Sequence, residues 1–283
     1  MANLLGGIQY YMNAFNRLLI NIDNKELVYS LLIKSIYTLI NPISAIILAR
    51  ILGSEQLGTY SFVLSVMTLL SVPTTFGLPT VIVRFSSKYY HNNEITRLKG
   101  LFRYSNIITI SLSISIVLLL LMALRYNILD FDSNIILGLY LGLPLIILMS
   151  LNSLRSASLK GISEVIIGQI PDMILRPLIF IVTVLIYYNI NGSITMTFAI
   201  IGMILSYTIS YIYGSYVLQN KLPNNYKKVK SEYDSNDWLK SALPLLLVGS
   251  VQVLGGQIDI ILLGLFRSSD EVGIYKVAFQ SAI

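Results

Sequence analysis

An aspartate and an arginine lie four residues apart inside a long apolar run, where charged side chains are rare. Asp172 precedes Arg176, and Pro171 and Pro177 flank the pair. Side chains four apart share one helix face, and prolines in membrane helices free backbone carbonyls and mark cavities. The guanidinium could bind phosphate through two hydrogen bonds, and the carboxylate could take up a proton or a cation. The simpler interpretation is an ion pair that only neutralises the helix for insertion.

Four further charged residues could serve the same chemistry, and each has a simpler interpretation. Asp259 lies six residues before the end of an apolar run; it either couples transport to a proton or sodium, or caps a neighbouring helix or faces water. Lys34 lies early in another run, where its long stem most simply reaches the lipid headgroups, although it could instead attract anions to a cavity mouth. Arg50 and Arg84 lie at the ends of apolar runs, where contact with lipid phosphate is favoured over substrate binding.

Several other chemistries lack the residues they need. The chain has no cysteine, which excludes disulfides and thiolate sites, and its single histidine has no second ligand at metal spacing. No nucleophile elbow or phosphate-binding loop occurs. The sequence therefore predicts a protein that is not an enzyme and has no metal or cofactor.

The composition predicts what kind of element positions these residues. Only 12% of the 283 residues are charged and the mean hydropathy is +0.72, against roughly 25% charged in soluble domains. Four long stretches contain no charged residue: they lie between Glu55 and Arg84, Arg103 and Arg125, Asp132 and Arg155, and Arg176 and Lys221. Each can cross a bilayer, which takes about 20 apolar residues. Because the runs are continuous rather than alternating, they predict helices. The fold class is an all-α, polytopic membrane helix bundle.

Seven complete spans and a partial eighth are predicted. Residues 1–27 form an amphipathic helix on the membrane surface, 28–218 a six-helix bundle, 219–240 a solvated cytoplasmic loop, and 241–283 the truncated start of a second bundle. The spans are Val28 to Ala49, Tyr60 to Val83, Tyr104 to Leu124, Ile135 to Leu154, Val165 to Tyr188, Ile194 to Leu218 and Ser241 to Leu265, with the eighth starting near Val272.

The basic residues predict the orientation. One set of alternate connections carries fourteen Lys and Arg residues, including Arg155 and Lys160, and the other set carries Arg50, Arg125 and Arg267. Positive residues stay on the cytoplasmic side, so the N terminus is cytoplasmic. The expected location is the plasma membrane. Since the basic residues follow sidedness, the net charge of +6 does not indicate a nucleic-acid partner.

The sequence contains an internal repeat. Ser54-Glu55-Gln56-Leu57-Gly58-Thr59-Tyr60 matches Ser269-Asp270-Glu271-Val272-Gly273-Ile274-Tyr275, at an offset of 215 residues. In both places a helix ends, a polar turn follows, and Gly-x-Tyr opens the next helix. The offset carries span one onto span seven, so the repeat unit is six helices and the expected parent chain is about twice the offset in length.

Residues 47–85 resemble the N-terminal signature of Wzx-type polysaccharide biosynthesis flippases, within the multidrug, oligosaccharidyl-lipid and polysaccharide exporter superfamily. The residues that carry the resemblance are Ala49, Arg50, Leu52, Gly53, Gly58, Tyr60, Gly77 and Arg84, and near the C terminus Asp259, Gly264, Gly273 and Tyr275. Members of the family have twelve to fourteen helices in two bundles, whereas this chain stops in its eighth helix.

The resemblance implies a lipid-linked oligosaccharide substrate, carried across the membrane by alternating access of two bundles. Arg176, with Lys34, Arg50 and Arg84, would bind the diphosphate, and Asp172 or Asp259 would couple an inward cation. The implied partners are membrane lipids, a polysaccharide polymerase and a chain-length regulator.

A multidrug or metabolite cation antiporter of the same superfamily is the alternative. Cationic drugs need negatively charged cavity walls, whereas lipid diphosphates need positive ones, and one arginine beside one aspartate favours the flippase only weakly. A membrane glycan polymerase or transferase would need catalytic residues in outer loops, and the outer loops of this sequence are short.

Overall fold

The computed structural model describes residues 24–126 and 131–282, and helices make up nearly all of this part of the chain. The helices are α1 (Asn24–Thr75), α2 (Leu78–His91), α3 (Ile95–Arg125), α4 (Ser133–Gly161), α5 (Val165–Ile170), α6 (Arg176–Asn191), α7 (Met196–Lys221), α8 (Ser235–Phe266) and α9 (Ser269–Ala282). A π-helical turn, Pro171–Leu175, joins α5 to α6. The all-α fold class is confirmed, while the predicted surface helix falls almost entirely outside the described residues.

The first helix contains two of the predicted spans. Gly53 interrupts α1 with φ 75° and ψ 170°, a conformation that glycine adopts without the steric penalty of a side chain. Residues from both sides of Gly53, among them Asn41 and Leu64, line the same cavity, so the two arms of α1 lie side by side. The break therefore separates spans one and two.

The number of crossings is roughly that predicted. Among the described residues, five helices are long and apolar enough to cross a membrane, or six when the two halves of α8, bent by 46°, count as one span. One of these, Leu27–Thr75, contains both arms of α1.

Two further glycines with positive φ lie at helix boundaries. Gly77 has φ 69° and directly precedes α2. Gly192 has φ 71° and ends α6. Pro144 lies inside the continuous helix α4.

At each end of the bundle, contacts join connections that the alternating topology places at that end. At one end, called the basic end from this point, Lys221 at the end of α7 lies 2.8 Å from Glu164 before α5. At the same end, Trp238 near the start of α8 donates to the Tyr89 hydroxyl of α2 at 3.1 Å. At the opposite end, the Met196 amide donates to the Gln56 side chain at 2.8 Å. Successive spans are thus antiparallel.

The connection between α7 and α8 is joined to the start of α3 by hydrogen bonds, while its residues Lys227, Lys228 and Lys230 are exposed. The Glu232 amide donates to the Thr96 carbonyl at 3.1 Å, and Arg97 donates to the Glu232 carboxylate at 3.2 Å. Lys99 donates to the carbonyls of Lys227 and Val229 at 3.0 and 2.8 Å. Within this connection, residues 222–234 are non-helical. This stretch is shorter than the predicted loop, residues 219–240.

Candidate functional site

A buried ion pair joins α4 to the π-helical turn. Arg155 Nη2 donates to Asp172 Oδ1 at 2.6 Å, and the Arg155 side chain is 2% exposed. Nη1 donates to the Ser210 carbonyl of α7 at 3.0 Å. Gly214 on α7 makes room for the guanidinium, because a Cβ there would overlap it. The arginine thus ties three elements together.

This geometry corrects the predicted pairing of Asp172 with Arg176. Among the described residues, the ion pair of Asp172 is with Arg155. The physical cause is the π turn, in which the Arg176 amide bonds to the carbonyl of Pro171, five residues back. Residues four apart are therefore not stacked as they would be in an α-helix. The Pro171 carbonyl also accepts a hydrogen bond from the Ser210 hydroxyl at 2.8 Å, which joins α7 to the π turn.

Arg176 faces aromatic residues rather than a carboxylate. Its Cζ lies 4.6 Å from the centroid of the Tyr207 ring, which is a cation–π contact. Tyr37 of α1 is a further neighbour of the guanidinium. Asp172, which pairs with Arg155, still acts on Arg176 through a Coulomb interaction, so the positive charge of Arg176 is only partly compensated.

Arg176 lies on the wall of a cavity of about 430 Å³, named the central cavity. Both arms of α1 and helices α6, α7, α8 and α9 contribute to it. In the described part of the chain its charged lining residues are Arg176 and Lys276, and no Asp or Glu lines it. Its polar lining includes Asn41, Gln257 and Gln280. The lining thus carries two positive charges, one from each side of the internal repeat.

A second cavity of about 500 Å³ lies on the other side of Arg176. Its charged lining residues are Lys160, Asp172 and Arg176. The carboxylate of Asp172 offsets one of the two cations, so the net charge of this lining is lower than that of the central cavity. Asp172 lies between this cavity and its partner Arg155.

Three of the four predicted anion-binding residues lie away from the central cavity. Lys34, Arg50 and Arg84 are exposed, and none of them lines the central cavity or the second cavity. The Arg84 guanidinium lies 5.7 Å from the Phe85 ring centroid. The structure therefore does not bring these three residues together with Arg176.

Asp259 also lies outside the central cavity. It is exposed on α8 and accepts a hydrogen bond from the Tyr275 hydroxyl at 2.9 Å. This contact joins α8 to α9 through their side chains.

Two functional residues were missed by sequence reasoning. Arg155 was assigned to a connection with Lys160, but it lies inside α4 and is 3% exposed. The run of small residues after it, Ser156 to Ser158, was the available signal, because small residues allow close helix packing. Lys276 was not singled out; it shares a helix face with Gln280, four residues on.

This geometry defines the class of the protein: it is a polytopic membrane helix bundle with a cationic cavity at the boundary between two repeats. Residues 24–282 match the family described as polysaccharide biosynthesis protein. The chain belongs to that family. No curated protein matches the sequence.

Solved structures share the fold at low identity. A transporter of the MOP superfamily from Pyrococcus furiosus, described as having a binding pocket of reversed polarity, is 17% identical with a TM-score of 0.61 over 83% of this chain and 53% of its own. A MATE protein in the straight conformation is 17% identical with a TM-score of 0.63, over 89% and 58%. An outward-facing multidrug resistance MATE transporter is 18% identical with a TM-score of 0.59, over 83% and 53%. The chain thus spans little more than half the length of these structures.

Proposed function

We propose that this protein is a flippase that carries a lipid-linked oligosaccharide across the plasma membrane for surface polysaccharide biosynthesis. The substrate is a polyprenyl-diphosphate glycan made on the cytoplasmic face. The central cavity binds its diphosphate, and the two halves of the transporter expose that cavity to each side in turn. No covalent chemistry and no cofactor are required.

The observation that carries this proposal is the charge of the central cavity. Arg176 and Lys276 line it, and none of its described lining residues is acidic. A diphosphate offers oxygens that suit a guanidinium fork and an ammonium point charge. Asn41, Gln257 and Gln280 supply amides that can hydrogen-bond to sugar hydroxyls. A cavity of about 430 Å³ is within the usual size range for a bound headgroup.

The same charge argues against the cation antiporter. A cationic drug gains nothing from two positive walls, and bringing it between them costs Coulomb energy in a low-dielectric site. The reversed pocket polarity described for the Pyrococcus furiosus transporter indicates that pocket charge varies within this superfamily. Pocket charge is therefore a suitable property for distinguishing the two functions.

The membrane potential supplies a driving force in the proposed direction. An inside-negative potential contributes about 2.3 kcal/mol per charge per 100 mV to moving an anion outward. Asp172 is our candidate for coupling to an inward proton or sodium ion, because it lines a cavity and a bound cation would compete with Arg155. Asp259 is the weaker candidate, since it faces outward and binds Tyr275. A polysaccharide polymerase and a chain-length regulator are the proposed protein partners.

Arg176 provides the direct test. Arg176→Lys in the full-length protein should retain partial glycan export, because the charge remains but the bidentate fork is lost. Arg176→Ala should reduce export by about tenfold or more, since a charge-assisted hydrogen bond contributes about 1.5–3 kcal/mol. Export is measured as surface polysaccharide in cells that lack their own flippase, at equal protein level.

Arg84→Ala is the matched control, because Arg84 is exposed and lies outside the central cavity. Normal export by Arg176→Ala would refute the proposed role of this residue. Export of a cationic drug by the parent protein, without glycan export, would favour the antiporter instead.

The proposed orientation has its own test. The chain lacks cysteine, so single cysteines can be introduced at Ser231 and Ser133 and treated with an impermeant thiol reagent in intact cells. We expect labelling at residue 133 and none at residue 231, because basic connections stay cytoplasmic. The opposite pattern would reverse the orientation.

A further inference from the structure

The two copies of the internal repeat lie against each other in the folded protein. The first copy follows Gly53 in α1, and the second opens α9. A Cβ at Gly58 would overlap the carbonyl oxygen of Ser269 and lie 2.9 Å from the Gly273 amide nitrogen. A Cβ at Gly273 would overlap the carbonyl oxygen of Ser54 and lie 3.1 Å from the Gly58 amide nitrogen. The backbones therefore touch where both residues lack a side chain.

This contact is reciprocal. Gly58 and Gly273 occupy equivalent repeat positions, as do Ser54 and Ser269, and each glycine faces the serine of the other copy. The equivalent aliphatic residues, Leu57 and Val272, are also both buried, at 3% and 1% exposure. We call this contact, Ser54–Gly58 against Ser269–Gly273, the repeat seam.

The packing around the repeat seam follows the same pseudo-twofold relation. A Cβ at Gly264 would overlap the Phe62 ring. Their repeat equivalents, Ala49 and Val277, line one small cleft together. The match therefore continues beyond the motif itself, into both flanking helices.

The position of the repeat seam gives it a role. It lies at the end of the bundle opposite the basic end. Leu57 belongs to the repeat seam and also lines the central cavity, and α9 continues from the seam through Lys276 to Gln280 on the cavity wall. The seam thus lies at one edge of the cavity and is formed by residues from each half of the repeat.

We propose that the repeat seam is the gate at this end of the central cavity, and that glycine at positions 58 and 273 sets how firmly it closes. The two helices must part at the seam for the cavity to open to the side opposite the basic end. A larger residue at either glycine holds the helices apart and shifts the protein towards the open state. This inference rests on the proposed function only in taking the cavity to open on two sides.

A cross-link between the two helices reports the closed gate. Ser54 and Ile274 are exposed and line the same cleft beside the seam, so Ser54→Cys and Ile274→Cys are combined and treated with a short bis-maleimide in native membranes. Chemical cleavage at Trp238 then separates the two helices unless the cross-link joins them. We expect a cross-link in most molecules, and about a tenfold lower yield with Gly58→Ala, because overpacking a close contact is unfavourable.

Gly273→Ala should have the same effect as Gly58→Ala, since the seam is reciprocal. Gly202→Ala is the matched control, because Gly202 is also buried in a helix but a Cβ there would meet its nearest neighbour at an ordinary 3.6 Å. If neither seam variant reaches the membrane, Val272→Ala decides, because it removes seam packing without adding bulk and should also lower the yield.

Equal cross-linking in Gly58→Ala, Gly273→Ala and Gly202→Ala would overturn the gate, as would an unchanged yield in Val272→Ala when the glycine variants are not produced. The measurement needs no substrate. A cross-linking result that contradicts the gate therefore does not affect the Arg176 export test. A negative export test likewise does not affect the proposed gate at the repeat seam.

Discussion

Arg155→Ala should destabilise the folded protein far more than substitution of an exposed arginine such as Arg84. The change leaves the Asp172 carboxylate without its 2.6 Å partner and the Ser210 carbonyl without its donor. Breaking a buried ion pair by removing one partner costs about 3–5 kcal/mol. We expect a lower apparent Tm in detergent and less folded protein on size-exclusion chromatography.

A double replacement separates this effect from simple loss of packing. Arg155→Met with Asp172→Leu removes both charges and keeps apolar volume, so it should recover most of the lost stability. The two single changes should then be strongly non-additive. Arg84→Ala serves as control, because that arginine is exposed. Equal stability of Arg155→Ala and Arg84→Ala would show that the ion pair does not hold the bundle together.

The sequence predicted the parts of the fold that depend on local pattern. Apolar runs between charged clusters indicated the helices, because backbone groups in a membrane must be satisfied within each segment. The repeat was visible as a matched motif, but the contact between its copies was not, since contact depends on how the helices pack.

The candidate site was predicted only in part, for a related reason. Arg176 was found because it interrupts an apolar run. Arg155 was misassigned, because an arginine one residue beyond an apolar run looks like a surface residue when charge alone is counted. Its partner Asp172 lies 17 residues away in the chain, and the π turn that directs the carboxylate towards it cannot be read from i,i+4 spacing.

Lys276 was not identified from the sequence, because its role depends on the other residues that line the same cavity. In sequence it is one lysine in a short amphipathic segment. In the folded protein it lines the same cavity as Arg176, although the two residues are far apart in the chain. The charge of a cavity is a property of several helices together, so it could not be derived from any one of them.

Lys276→Glu should abolish most glycan export by reversing one of the two charges of the central cavity. The formal charge of the described lining would fall from +2, given by Arg176 and Lys276, to zero. A carboxylate would then compete with the substrate diphosphate for Arg176. Changes to buried charge pairs at binding sites cost about 2–5 kcal/mol, so export should fall by about thirtyfold or more.

Three variants make this result specific to the cavity. Lys276→Arg should keep substantial export, because it retains the charge. Lys240→Glu changes the net charge of the protein equally, but Lys240 is exposed near the basic end and does not line the central cavity, so it should export normally. The measurement is surface polysaccharide in flippase-deficient cells at matched protein level. Normal export by Lys276→Glu would contradict a diphosphate site between the two repeats. Newly acquired resistance to a cationic drug in that variant would show that cavity charge alone selects between the two substrate classes.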